Sequence, residues 1–439
     1  GKSLTFFIFF LLGCGPMLPY NAFISGADYF EGLYPCQHVQ FYFSTTYMIT
    51  LLLGMAIILK VGERFSYSVR IVPGFAMFFV SLMASLPAEN KNVHIFLVFI
   101  TGVGDALVQA AVYGLVARFP QRYMAAVMTG NGAAGLLVSF VRLVTKAAVS
   151  SARASFTIYF CISSLFVFVC TIAWFVLLRL PYAQRCMQRS GDDEDTGLEL
   201  APQPEGAGER DTGEANADTV DDTFLEKEDG GAIQRGRGAH DVETSLEDDE
   251  QQDGAMLGPN SDFRSRLLAM RGMIQPGLCV AFNFFVTLAL FPGVLAEMRP
   301  SDKNNDYFTV NLVFTFNLFD FIGRSLPRWQ RCRYRWPHFL WIPASSRIVF
   351  FPLFLARALP SGTHSDLFAY LVVMAFAATN GYVGTTSMML GPKDVPRPLQ
   401  ELAGTTMAFL LMTGLTVGAI TGILMSFFLF EADPLSCPS

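Results

Sequence analysis

Charged residues are scarce in this sequence. They make up 15% of its 439 residues, against about 25% in a soluble domain, whereas hydrophobic residues make up 52% and include 42 phenylalanines. The basic residues lie in short clusters between long apolar runs, and not on one water-facing surface as nucleic-acid binding requires. We therefore expect an integral membrane protein that does not bind nucleic acid.

The residue patterns of metal sites and active sites are also missing. None of the eight cysteines forms a CxxC pair or lies near a histidine at metal-ligand spacing, and most lie in apolar runs, where cysteine behaves as a small hydrophobe. We therefore expect no enzymatic activity, no metal and no cofactor. Cys36 and Cys437 either form a disulfide or stay free thiols. The sequence begins at Gly1 rather than Met, so we expect further residues before it.

Eleven apolar runs are long enough to cross a bilayer. A helix needs roughly 18–25 residues to span about 30 Å of hydrocarbon, and each run must be helical because lipid cannot satisfy the edge groups of a strand. In the last run Gly414, Gly418 and Gly422 have the four-residue spacing typical of close helix packing. The predicted spans are 4–27, 40–59, 68–87, 93–117, 122–149, 155–180, 272–296, 306–326, 339–359, 366–390 and 402–430.

Lysine and arginine are concentrated in alternate loops, after the second, fourth, eighth and tenth spans. Because basic loops face the cytoplasm, we expect a cytoplasmic N-terminus and an extracellular C-terminus. We also expect the plasma membrane as the location. The basic residues of these loops are Lys60, Arg64, Arg70, Arg118, Arg122, Arg328, Arg331, Arg333, Arg335, Lys393 and Arg397.

The stretch between the sixth and seventh spans has a different composition. Residues 191–262 hold 23 of the 37 acidic residues but only 4 of the 31 basic ones, and they cannot bury enough apolar surface to fold. We predict a cytoplasmic, disordered linker over 181–271, between a six-helix bundle at 1–180 and a five-helix bundle at 272–439. This layout is typical of transporters whose two bundles rock around a site near the membrane midplane.

Ionisable residues inside a span each cost roughly 2.5–3.5 kcal/mol to insert, and four of those in the apolar spans stand out. Asp320 and Arg324 in the eighth span are four residues apart and share one helix face, with Asn317 one turn earlier. Two interpretations stay open for them. The pair either neutralises itself and locks helices together, or it belongs to a hydrogen-bonding cluster for a polar substrate.

The other two ionisable residues are Asp105 in the fourth span and Arg142 in the fifth. Their depths permit an ion pair; without one, desolvation would favour the neutral form of Asp105, which could then carry a proton. Gln109 lies one turn from Asp105 on the same face, and it could bond either a substrate or another helix. Neither choice is settled by the sequence.

The first span contains the run Gly13-Cys14-Gly15-Pro16-Met17-Leu18-Pro19-Tyr20-Asn21. Two prolines among glycines weaken the helical hydrogen bonds and favour a kink that lines a cavity. Tyr20 offers a flat ring with a polar tip, which suits stacking on a planar ligand. The alternative role for this side chain is packing or anchoring at the interface.

Several of these residues lie in short motifs that resemble, in order, those of the equilibrative nucleoside transporter family. The resemblance covers essentially all of the membrane portion, with Tyr20 in place of a tryptophan, and it points to a protozoan-like member. Its most specific element is the eighth-span signature. The motifs are Leu18-Pro19-Tyr20-Asn21, Phe291-Pro292-Gly293, Asn317-Leu318-Phe319-Asp320-Phe321-Ile322-Gly323-Arg324, Arg347 with Pro352, Asn380-Gly381-Tyr382 and Glu401-Leu402-Ala403-Gly404.

This resemblance implies an all-α, major-facilitator-like bundle of 6+5 helices that moves nucleosides or nucleobases by alternating access. It implies that Asp320 and Arg324, with Asn317 beside them, contact the sugar or a polar base edge. Gln109 would bond the base and Tyr20 would flank the pocket.

Asp105 departs from the mammalian members, which have a small residue there, and resembles protozoan members that are proton-coupled. The proton is therefore an open co-substrate. Two other functions also stay open: a carrier of another small polar solute, and a membrane scaffold or receptor without transport.

Overall fold

The computed structural model describes residues 1–25, 27–34, 39–149, 151–188, 270–298, 300–301, 307–332, 334, 337–359 and 365–430. Within these ranges all regular structure is helical, as expected for a chain whose backbone must satisfy its own hydrogen bonds in lipid. The predicted all-α fold class is confirmed. Residues 189–269 of the predicted linker lie outside the described residues, and so do Cys36 and Cys437.

The principal helices follow the predicted spans closely. They are α1 (Lys2–Ser25), α2 (Val39–Val61), α3 (Tyr67–Ser85), α4 (Lys91–Ala117), α5 (Gln121–Ala148), α6 (Ala152–Arg179), α7 (Ile274–Leu290), α8 (Phe308–Ser325), α9 (Phe350–Ala358), α10 (Asp366–Leu390) and α11 (Gln400–Phe430).

The ninth span is broken. Its apolar segment, Pro337–Ala358, consists of a short helix (Trp341–Ser345), a 3-10 turn (Ser346–Val349) and then α9. Pro343 and Pro352 contribute to this, because proline lacks the N–H that continues a helical ladder.

Ten of the helical segments are both long and apolar enough to cross a membrane. The exception is α8, which has the length of a span but not its composition, because Asn317, Asp320 and Arg324 interrupt its apolar residues. The eleven-span prediction therefore depends on treating α8 as a polar helix enclosed by other helices. Its burial supports that treatment, since Asp320 is 4% exposed and Arg324 is 8% exposed.

The beginning of the predicted linker is ordered. The sequence predicts disorder from residue 181, but Pro181–Gln188 forms a helix. A proline is favourable at the first position of a helix, and the rings of Tyr182 and Phe119 lie 6.5 Å apart, edge to face. These aromatic contacts hold the segment against the beginning of α5, so the disorder prediction is wrong for these eight residues.

Close helix pairs build each bundle. In the second bundle α7 packs on α11 and α8 packs on α10. Gly414 and Gly418 leave no room for a β-carbon beside the backbone of α7, and Gly381 leaves none beside the backbone of α8. The glycine spacing of the last span therefore marks a helix contact, as predicted.

The two bundles also contact each other directly. Helix α5 of the first bundle packs on α8 and α10 of the second, while α11 packs on α2 and α4. Consequently α4, α5, α8 and α11 surround the interior in which the candidate site residues lie.

Candidate functional site

Asp320 and Arg324 form an ion pair on α8. The Nε of Arg324 donates to Oδ2 of Asp320 at 2.6 Å, and both side chains are buried. Their separation of one helical turn places them side by side, as the sequence predicts. A buried pair of this kind needs further hydrogen bonds to offset its desolvation.

Those additional bonds come from α7 and α10. The Nδ2 of Asn380 donates to the free oxygen of Asp320, Oδ1, at 2.7 Å. The Oδ1 of Asn380 in turn accepts from Thr287 at 2.7 Å and from Asn283 at 2.9 Å. Asn283 and Thr287 belong to none of the sequence motifs above, although an asparagine inside a span is itself a signal of function or helix contact.

Arg347 extends this network to the ninth span. Its side chain is 1% exposed and donates to Thr287 Oγ1 at 2.8 Å, to Thr379 Oγ1 at 2.9 Å and to the carbonyl of Phe376 at 3.1 Å. A second buried guanidinium therefore belongs to the same polar group as Asp320, connected to it through Thr287 and Asn380. Buried networks of this kind hold their members in one geometry.

The face of α8 that carries Asn317 and Arg324 is directed at α5 of the other bundle. Asn317 donates to Ser139 Oγ at 2.7 Å, and Thr129 donates to the carbonyl of Arg324 at 3.2 Å. A β-carbon at Gly132 would lie 2.8 Å from Cδ of Arg324. The aliphatic part of the Arg324 side chain therefore packs directly against Gly132 of α5. The α8 residues thus lie at the contact between bundles.

A second polar cluster lies in the first bundle, around Asp105. Its Oδ2 accepts from the hydroxyl of Tyr47 on α2 and from Nε2 of Gln109, the latter at 2.8 Å. The rings of Tyr20 and Tyr47 are stacked, with centroids 3.7 Å apart and planes within 4°. The structure therefore brings the predicted residues Tyr20, Asp105 and Gln109 together, and it adds Tyr47.

This cluster has unused acceptors. Asp105 Oδ1 and Gln109 Oε1 are both buried, and neither has a hydrogen-bond partner among the described residues. An unpaired buried acceptor costs about 1–3 kcal/mol, so a site of this kind favours a guest that supplies donors.

The hydrogen bonds described for the Asp105 carboxylate come from uncharged side chains. Arg142 is half-buried on α5 and its carbonyl accepts from Thr145 at 3.1 Å.

Tyr113 is a further buried polar residue of α4. It follows Asp105 and Gln109 on the same face of α4 and is 1% exposed. Its hydroxyl accepts from Asn131 Nδ2 on α5 at 2.6 Å. The four-residue spacing of the three α4 residues could have identified it from the sequence.

The chemistry available here is hydrogen bonding, ion pairing and ring stacking. Across the part of the chain that the structure describes, no group of three or more His, Cys, Asp or Glu side chains could hold a metal.

Two packed helical bundles, each with a buried polar cluster, are the architecture of the major-facilitator fold. Solved structures support this fold. The chain aligns with the proton:xylose symporter XylE at a TM-score of 0.64 and 12% identity, covering 98% of this chain and 95% of that one. It aligns with FucP in the outward conformation at a TM-score of 0.56 and 16% identity, covering 99% and 93%.

The chain belongs to the nucleoside transporter family, whose model matches residues 94–429. It is 26% identical to equilibrative nucleotide transporter 8 of Arabidopsis thaliana, covering 95% of this chain and 94% of the relative. It is 27% identical to equilibrative nucleoside transporter 1 of Mus musculus, covering 95% and 96%. With adenosine transporter 1 of Crithidia fasciculata the identity is 26%, covering 96% and 94%. The predicted family is confirmed, and these relatives are transporters rather than enzymes, as predicted.

Proposed function

We propose that this protein carries nucleosides or nucleobases across a membrane by alternating access of its two bundles. The family membership and the major-facilitator fold support transport, while the polar clusters support this class of cargo. A nucleoside joins a flat base to a hydroxyl-rich sugar, so its carrier needs an apolar, ring-lined slot beside a few strong hydrogen-bonding groups.

The observation that carries the proposal is the cluster around Asp105. A tyrosine stack adjoins two buried oxygens that lack donors, Asp105 Oδ1 and Gln109 Oε1. A nucleobase supplies a flat π face and N–H donors together, which matches both features. We assign base recognition to Gln109 and Tyr20 on this ground.

The α8 residues complete the proposed site. Asp320 and Arg324 would bind the sugar hydroxyls or a polar base edge, with Asn317 next to them. Asn317 on α8 donates to Ser139 on α5 at 2.7 Å, so the α8 residues lie where the two bundles meet, which supports a cargo that bridges the two bundles. Such bridging is what couples binding to a rocking motion.

We further propose that the N-terminus and the acidic linker are cytoplasmic, that the C-terminus is extracellular, and that the protein resides in the plasma membrane. Arg70 and Arg118 come from two different basic loops, and both contact Glu401 at the beginning of α11. Their meeting supports a common side for the basic loops, which is the cytoplasmic side by their charge.

Proton coupling is part of the proposal. Asp105 is 0% exposed, and its hydrogen-bond partners are uncharged. Burial without a counterion disfavours the charged form of a carboxyl group, so such a group is suited to bind and release a proton. Arg142 lies half-buried on the neighbouring α5 and would act as a second charge in the coupling pathway.

The function is tested by uptake of radiolabelled uridine, adenosine and adenine into cells that express the wild type, Asp320→Ala or Arg324→Ala. We expect saturable uptake of at least one cargo, reduced by unlabelled nucleosides and not by sugars. Each substitution should reduce that uptake about tenfold or more, because it leaves the other charge buried and unpaired.

The matched control is Asp366→Ala, which breaks a different ion pair, Arg357 with Asp366 at 3.2 Å. The side chain of Asp366 is 32% exposed, so this variant reports the cost of losing an ion pair elsewhere in the second bundle and should keep the wild-type KM. All uptake is normalised to the amount of protein in the membrane. Unchanged uptake of every cargo in both α8 variants would remove the site assignment.

A further inference from the structure

A cavity lies outside the proposed transport site, at the end of the molecule where Arg118 contacts Glu401. Its volume is about 490 Å³. The last residues of α4, the first residues of α5, the Pro181–Gln188 helix and the connection from α10 to α11 line it. Both bundles therefore contribute to one cavity.

The charged lining of this cavity is entirely basic among the described residues: Arg118 from the first bundle, with Lys393 and Arg397 from the second. The nearest acidic group of the α11 terminus, Glu401, is already bonded to Arg70 and Arg118. Three cationic side chains around one cavity attract an anion, and bonds from such groups to phosphate oxygens are about twice as strong as neutral ones.

Two donor atoms point to the same kind of ligand. The Nε2 atom of Gln121 and the Nε atom of Arg118 lack a hydrogen-bond partner among the described residues, and both residues line the cavity. Both side chains are partly exposed, and a different nitrogen of Arg118 binds Glu401. Gln121 is also the first residue of α5, a 28-residue helix whose N-cap Pro120 makes no side-chain cap. The free N–H groups and the dipole of a helix N-terminus favour a negative charge.

We propose that this cavity binds a phosphate-bearing ligand, held by Arg118, Gln121, Lys393 and Arg397. The source of the phosphate is a soluble phosphate ester or the headgroup of a phosphoinositide in the adjacent leaflet. A ligand in this place bridges the two bundles and stabilises their closed contact at this end. The site is independent of the cargo assignment, because it uses none of the residues of the transport site.

The test uses probes without a base, so that the transport site cannot respond to them. The thermal melting of the full chain in detergent is followed with increasing pyrophosphate or inositol trisphosphate, at ionic strength matched with chloride. A parallel measurement records the melting of the full chain in phosphatidylcholine nanodiscs with and without phosphatidylinositol 4,5-bisphosphate. We expect a rise in Tm of about 2 °C or more at saturation.

The double variant Lys393→Gln/Arg397→Gln should raise the half-maximal probe concentration about tenfold or more. Its control is Lys60→Gln/Arg64→Gln, which removes two exposed basic residues from another loop and should respond like the wild type. Gln121→Glu, which places a carboxylate in the cavity, should weaken the response by repulsion.

A response to the soluble probes identifies free phosphate esters as the ligand class, and a response only to the phosphoinositide nanodiscs identifies the lipid headgroup. The proposal is overturned if no probe acts on the wild type, or if the response survives unchanged in Lys393→Gln/Arg397→Gln. Neither result affects the uptake experiments, so failure of this site and failure of the transport function are separable.

Discussion

At the scale of single residues, Asp105 is the most informative position. One of its oxygens accepts two hydrogen bonds, and the other accepts none from the described residues, so the carboxyl group can gain a proton or a cargo donor without first breaking an ion pair. A buried carboxylate without a cationic partner is costly, which makes the protonated form and the cargo-bound form the two favourable states.

Replacing Asp105 by asparagine removes the proposed proton site and keeps the shape of the side chain. In wild-type proteoliposomes, a gradient of one pH unit should sustain up to about tenfold accumulation of nucleoside, the ratio that one coupled proton supplies. In Asp105→Asn the internal and external concentrations should become equal, and the pH dependence of uptake should flatten.

The control for this variant is Asp366→Asn. Asp366 is the first residue of α10 and pairs with Arg357. This control should leave accumulation intact. A mutant at Asp105 that still accumulates nucleoside against its gradient would show that the proton, if one is used, binds elsewhere.

Residue spacing predicted part of this site. The shared face of Asp105 and Gln109, and that of Asp320 and Arg324, follow from the helical period and are present in the structure. The hydrogen bond from Tyr47 to Asp105 depends on how α2 is rotated against α4. The residue spacing within one span does not determine that rotation. For the same reason the sequence left a pair with Arg142 open.

At the scale of elements, Glu401 joins α11 to the first bundle. Its carboxylate bonds Arg70 at 2.6 Å, Arg118 at 3.2 Å and the hydroxyl of Tyr67 at 2.5 Å. Close by, the backbone of α4 approaches Gly404 so closely that a β-carbon would not fit. Because these contacts cross between bundles, alternating access requires them to break and reform.

Glu401→Gln should loosen this connection. The neutral side chain loses both ion pairs, so hydrogen exchange at the end of α4 and the beginning of α11 should become about tenfold faster, the factor for roughly 1.4 kcal/mol. Hydrogen-deuterium exchange with mass spectrometry measures this directly in the purified protein.

Asp366→Asn is again the control. The ion pair of Asp366 with Arg357 lies within one bundle, so losing it should leave hydrogen exchange at α4 and α11 unchanged. Equal exchange in Glu401→Gln and wild type would mean that Glu401 does not hold the bundles together. The sequence predicted the helices involved but not this contact, because it joins residues 70, 118 and 401, which are far apart in the chain.

The elements themselves were largely predictable from hydropathy. The exceptions, α8 and the ninth span, have physical causes: buried polar residues lower the hydropathy of α8, and two prolines divide the ninth span. Both departures fall in the half of the chain that supplies the network around Asp320.

At the scale of the whole molecule, the membrane portion and the acidic stretch at 191–262 differ sharply in amino-acid composition. Every side chain assigned to the transport site comes from α1, α4, α5 or α8, and none comes from residues 191–262. The composition of that stretch predicts a solvated segment, so the transport cycle should not depend on it.

Deleting residues 191–262 should therefore preserve nucleoside uptake within about twofold of the wild type per molecule at the membrane, since loops of changed length alter stability only slightly. Uptake assays normalised to the amount of protein in the membrane measure this. A matched variant in which 191–262 is replaced by a Gly/Ser segment of equal length controls for the geometry of the connection. Loss of uptake in both variants would assign the acidic stretch a direct role in transport.

Our main proposal for the whole molecule is that Tyr20 and Gln109 of one bundle and Asp320 and Arg324 of the other bind a single cargo. Electron cryomicroscopy of the protein with a transported nucleoside decides this. We expect density for the base beside the Tyr20 ring, within hydrogen-bond distance of Gln109, with the sugar near Asp320 and Arg324. Density for the nucleoside elsewhere, with the Asp320 and Arg324 pair unchanged and out of its reach, would refute the shared site.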